Sequence, residues 1–129
     1  MIDQRILMQL AGLEQEVKQL EEKLMLIDQQ ITEMQRLDID LEEIEKNKEK
    51  DILAGLGKGI FIKAKTGDKN LLVDVGSGII VKKNIKETKQ IIKEQIKKMQ
   101  EFKLMLINGI EDTKQNMRNI IEKEETKQP

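Results

Sequence analysis

Apolar residues near the start of the chain recur with alternating steps of four and three: Ile6, Leu10, Leu13, Val17, Leu20, Leu24, Ile27, Ile31 and Met34. This is the heptad rhythm of a coiled-coil seam, and it predicts a helix from about Asp3 to about Lys48, roughly 70 Å long at 1.5 Å per residue. Asp3 suits the N-cap. Ile31, Met34 and Leu37 are separated by two successive steps of three before Leu41 and Ile44 follow, which predicts a stammer that overwinds the supercoil. Gly12, inside the stripe, costs about 1 kcal/mol against Ala.

A second stripe at the other end of the chain, Ile85, Ile92, Ile96, Met99, Phe102, Leu106, Ile110, Met117 and Ile120, keeps a similar but less regular beat. Asn84 followed three residues later by Glu87 has the form of a capping box and sets the helix start. The helix is expected to reach about Glu122, with Gly109 a weak point and the charged tail from Glu122 to Pro129 fraying.

Between the stripes the period changes to two. Ile60, Ile62 and Ala64 share one face of a strand, with Phe61, Lys63 and Lys65 on the other. Leu71, Val73 and Val75 alternate with Leu72 and Asp74, and Ile79 and Val81 alternate with Ile80 and Lys82. Thr66 to Asn70 and Gly76-Ser77-Gly78 have turn chemistry. A short first strand at Ile52 to Ala54, turning through Gly55-Leu56-Gly57-Lys58, makes this block two β-hairpins. So little sheet is unstable alone and its open edges seek partners. Leu53, Ile60, Ile62, Leu71, Val73, Val75, Ile79 and Val81 are the expected subunit-assembly residues.

The chain therefore divides into an N-terminal coiled-coil helix (1–50), a double β-hairpin assembly region (51–83) and a C-terminal coiled-coil helix with a short charged tail (84–129). The fold class is α+β, mainly α: a long antiparallel coiled-coil hairpin with two central β-hairpins. Charge agrees with antiparallel pairing, since residues 1–50 hold 13 acidic against 7 basic side chains and residues 51–129 hold 11 against 16. Pairing juxtaposes the acidic stretch Asp38 to Glu49 with the basic stretch Lys82 to Lys103.

Composition narrows the function. Charged residues make up 36% of the chain and aromatics 2%, so long solvated faces outweigh any globular core. With neither Cys nor His, thiolate and imidazole chemistry is excluded, and no catalytic residue, metal site or cofactor is expected. Gly55-Leu56-Gly57-Lys58-Gly59 lacks the spacing and the Ser or Thr of a phosphate-binding loop, and it opens a strand where that motif needs a helix. The carboxylates Asp38, Asp40, Glu42, Glu43 and Glu45 splay around a helix. Lysines between 82 and 103 alternate with Glu87, Glu94 and Glu101 and lack stacking aromatics, which argues against nucleic acid. No apolar run has the length of a membrane span, and Met1 to Arg5 do not read as a secretory leader, so a soluble cytoplasmic protein is expected. Function then lies in surfaces and assembly.

One excess is left over. Ile2, Ile6, Leu7 and Met8 at one helix end, with Met117, Ile120 and Ile121 at the other, are more apolar residues than one seam position per turn can bury. Uncovered apolar surface marks binding, and Met adapts to varied partners.

The order helix, two hairpins, helix resembles the alpha-class subunits of prefoldin, the kind found as archaeal prefoldin alpha and eukaryotic prefoldin subunit 5. The resemblance is closest over Leu53-Ala54-Gly55-Leu56-Gly57-Lys58-Gly59-Ile60-Phe61-Ile62-Lys63-Ala64-Lys65 and Val75-Gly76-Ser77-Gly78-Ile79-Ile80-Val81-Lys82-Lys83-Asn84. Gly55 stands where the family commonly has Pro in its first strand. The resemblance implies a hexamer of two alpha-class and four beta-class subunits whose hairpins join into a β-barrel platform bearing coiled-coil tentacles. It also implies an ATP-independent holdase that grips non-native client proteins at the tips and passes them to a group II chaperonin. A structural coiled-coil scaffold or filament-forming relative without a client is the other reading.

Overall fold

A computed structural model of the chain describes residues 3–127. Its elements run α1 (Gln4–Lys46), β1 (Asp51–Gly57), β2 (Ile60–Lys65), β3 (Asn70–Asp74), β4 (Ile80–Asn84) and α2 (Ile85–Lys127). This is the mainly α fold of two long helices and two antiparallel hairpins expected from periodicity. The chain forms two compact units: Met1–Glu33 with Lys97–Pro129, and Met34–Ile96.

In the first unit α1 and α2 run antiparallel, and their apolar stripes meet. Val17, Ile31, Leu106 and Ile110 are buried along the seam. The four-three count continues through polar residues as well. On α2 it passes from Met99 to half-buried Lys103, then to Leu106, Ile110 and buried Thr113. The hydroxyl of Thr113 donates to the Gly109 carbonyl at 2.9 Å, so its burial leaves no unmet hydrogen bond. Phe102, expected in the seam, is 46% exposed. It stands one position before Lys103, which takes the seam and turns its ammonium outward to Asp28 at 2.7 Å. A second interhelical ion pair joins Lys114 to Glu21 at 3.7 Å. Helix α2 runs on to Lys127, where fraying was expected from Glu122. Half-buried Glu124 prolongs the same count beyond Ile120.

In the second unit Leu41, Ile85 and Ile92 form the core, with Met34, Ile44, Leu71 and Ile96 packed against them. The expected stammer is absent. Leu37 is exposed and half-buried Asp38 holds the seam, so the spacing from Met34 to Asp38 to Leu41 stays four-three. Asn84 caps α2 as expected, its Oδ1 accepting from the Glu87 amide at 2.7 Å. At α1 the Asp3 carboxylate accepts from the Arg5 amide at 3.2 Å.

The hairpins are separate two-stranded sheets, β1 with β2 and β3 with β4. β1 is longer than expected, because the chain passes Gly55 through an irregularity and stays paired to Gly57 opposite Ile60. The turn therefore falls on Lys58 and Gly59, with φ of 52° and 78°. In the second hairpin Ser77 and Gly78 do the same, with φ of 53° and 75°, and the Ile79 amide donates to the Gly76 carbonyl at 3.0 Å. Positive φ at both central residues is the type I′ geometry that matches strand twist. Between the hairpins, the Thr66 amide and hydroxyl both donate to the Lys50 carbonyl, and Lys69 Nζ donates to the carbonyls of Glu45 at 3.0 Å and Asn47 at 2.7 Å.

Candidate functional surfaces

Helix ends, hairpin faces and the polar members of the seam are places where this chain departs from a plain coiled coil. At the helix ends in the first unit, Leu7 and Met8 are 53% and 71% exposed, and Ile121 is exposed to a lesser degree. Ile6, Met117 and Ile120 are half-buried because they occupy seam positions. Ile2 lies outside the described residues. Leu7 and Ile121 each follow a seam residue by one position, which puts both on the same flank of an antiparallel pair. The structure thus sorts the expected cluster into three open side chains and three that pack between the helices.

The first hairpin has exposed apolar side chains on both faces, and the second on one. Ile52 pairs with Ala64 and Ala54 with Ile62, giving one apolar face, while Leu53 and Phe61 stand on the other. In the second hairpin Val73 lies opposite Val81, and this face also carries half-buried Leu71, which packs on the helical core. Of the expected assembly residues, Leu53, Ile60, Ile62, Val75 and Ile79 are exposed, whereas Leu71, Val73 and Val81 are half-buried within the chain. Four further side chains were missed: Leu56, Phe61, Leu72 and Ile80 are all exposed. The signal was present in runs such as Leu71-Leu72-Val73 and Ile79-Ile80-Val81, which lack the polar alternation of a sheet with one solvated face.

A polar cluster in the second unit was also missed. Lys89 takes a seam position with its side chain only 12% exposed and donates to the Glu42 carboxylate, which also meets Lys46 at 3.2 Å. The hydrogen bond from Lys89, then that from Lys46, holds the Glu42 carboxyl down at about 2, and the same contact raises Lys89 above its ordinary value. Asp38 Oδ1 is buried without a hydrogen-bond partner, and the Asp38 charge also favours the ammonium form of Lys89. Lysine at a single seam position restricts which helix register is allowed.

The model of the prefoldin subunit family matches residues 13–129. The chain belongs to the prefoldin family. Prefoldins are non-enzymatic chaperone subunits that assemble with other prefoldin subunits. The fold is similar to a cryo-EM structure of filamentous PFD from Methanocaldococcus jannaschii, with a TM-score of 0.75 at 19% sequence identity, covering 87% of this chain and 94% of that one. No curated protein sequence matches the chain. Among the described residues of this prefoldin no helix is long and apolar enough to cross a membrane.

Proposed function

We propose that this prefoldin is an ATP-independent holdase subunit of the cytoplasm, one that captures non-native proteins at its coil tips and hands them to a group II chaperonin. Exposure of Leu7, Met8 and Ile121 at helix ends whose seam is otherwise filled is the observation that carries this reading. Half-buried Ile6, Met117 and Ile120 lie beside them in the seam, and Ile2, outside the described residues, belongs to the proposed set. Each apolar contact is worth roughly 25 cal/mol per Å² before ordering costs, so several weak tips acting together hold a client while still permitting release.

Assembly runs through the hairpins, residues 51–83, with Leu53, Ile60, Ile62, Val75 and Ile79 meeting other subunits. Leu71, Val73 and Val81 shape the sheet from within. The alpha-class resemblance of the hairpin segments supports a hexamer of two alpha-class and four beta-class subunits around a β-barrel platform. Similarity to a filamentous PFD supports a second reading, a filament-forming scaffold without a client.

The variant Leu7→Ser, Met8→Ser, Ile121→Ser tests the leading reading. It should keep the native mass of the parent, with or without beta-class partners, yet suppress aggregation of a chemically unfolded test protein several-fold less well. Equal protection by the assembled variant would remove the tips from the mechanism. Concentration-dependent filaments of the parent, with no protection of the test protein, would establish the scaffold.

A further inference from the structure

Away from the tips, the shaft of the first unit carries apolar side chains that neither the seam nor a hairpin covers. Leu26 on α1 and Phe102 and Met105 on α2 are 59%, 46% and 68% exposed. The pairing of Asp28 with Lys103, and the place of Leu20 beside Gly109, put Leu26 level with Met105. Phe102 and Met105 are three apart, so they adjoin on the helix surface. In heptad terms all three lie on the same flank of the antiparallel pair, beside one edge of the seam. Gly109 lies one turn beyond Met105 on that flank, close against the Leu20 side chain. The opposite flank at this level also has two exposed apolar residues, Met25 and Leu104, but there they adjoin the ion pairs Asp28–Lys103 and Glu21–Lys114.

We propose that the Leu26, Phe102 and Met105 flank is a second client contact, which takes an extended, uncharged, apolar segment of unfolded chain. The inference rests on the holdase reading above. A second copy of this chain is the poorer occupant on area: three partly exposed side chains offer on the order of 300 Å², against about 800 Å² per partner in a stable complex. An extended peptide needs far less. Met and Leu adapt to whichever apolar group arrives and Phe supplies a flat contact, so the surface selects apolar character without selecting sequence. Ion pairs engaged on the opposite flank make that side the less favourable path for such a segment.

Photo-crosslinking in the assembled protein tests this, with p-benzoylphenylalanine replacing Met8, Leu104 or Met105 in turn. The probe is guanidinium-unfolded, dye-labelled lysozyme with its disulfides reduced, diluted into the protein. Crosslinks to the probe are expected from positions 8 and 105, and at least fivefold fewer from position 104. Phe102→Ser with Met105→Ser should weaken probe binding about five- to tenfold at unchanged native mass, while Met25→Ser with Leu104→Ser changes it less than twofold. Crosslinking from position 8 but not 105 overturns the shaft contact and leaves the tips standing. Crosslinking from none overturns the holdase reading and this inference together. Crosslinks from position 105 to another copy of the chain make the flank a self-interface and overturn the client assignment.

Discussion

The seam of the first unit and the hairpins of the second handle apolar residues in opposite ways. Along the seam, Val17, Ile31, Leu106 and Ile110 are buried by the chain itself, and the polar residues that intrude, Lys103 and Thr113, find partners within it. On the hairpins, apolar side chains stand exposed, Leu53 and Phe61 against Ile62 on the two faces of the first, Leu72 and Ile80 on the outer face of the second. The seam buries its apolar residues within one chain, whereas the hairpins leave theirs exposed, as the proposed assembly through them requires. Stability and assembly can therefore be perturbed separately.

The largest effect is expected where the chain is incomplete. Phe61→Lys with Leu72→Lys places two charges on outward faces without touching the helical core. Native mass should fall to that of the free chain while far-UV circular dichroism keeps its helical signal. An oligomer that survives both charges would show that these faces are not buried in assembly.

A smaller effect should separate seam from shaft. Leu106→Ala removes a buried seam side chain and should cost about 2–3 kcal/mol in chemical denaturation, since truncation leaves a cavity as well as losing burial. Leu104→Ala, two residues away and 60% exposed, should change stability by less than about 0.5 kcal/mol. Equal costs for the two variants would mean that the helices do not pack along this seam.

The smallest expected effect sharpens the electrostatic side of the comparison. The Glu42 carboxyl is held at about 2, below its ordinary value of 4.5, so its contribution to stability is present above pH 4.5 and is lost as pH falls toward 2. For Lys89, raised by the same contact, the contribution is full below its ordinary 10.5 and lost only as pH rises past that value. Glu42→Gln should flatten the acid limb of a stability-against-pH curve and leave the region between pH 6 and 8 parallel to the parent. An unchanged acid limb would show that the contact with Lys89 is not maintained in solution.

Most of the architecture was legible because binary patterning states it directly: the four-three stripes gave the helices, period two gave the strands, and Asn84 with Glu87 marked where α2 begins. The misreadings of the seam share one cause. Reading the seam from apolar residues alone pulls it toward Leu37 and Phe102, whereas keeping the count strictly leads to Asp38, Lys89, Lys103 and Thr113. A seam position is fixed by geometry and not by polarity, and a polar residue tolerates it when its head group reaches a partner at the edge, as Lys103 reaches Asp28. The hairpin turn was misplaced for a different reason. Gly55 and Gly57 look like punctuation, yet glycine can also continue a strand through a bulge. At the helix ends the excess of apolar residues was visible, but which of them are open required knowing which positions the partner helix covers.

Lys69 gives the hairpin region a mechanical character. Its ammonium closes over the carbonyls of Glu45 and Asn47 at the end of α1, where the helix dipole also favours a cation, while Thr66 is fastened twice to Lys50. The link between the hairpins is thereby riveted to the root of α1 at several points instead of hanging from it as a free hinge. A sideways pull on α1 close to its root is then carried into the strands as torque, so that end of the lever moves with its socket.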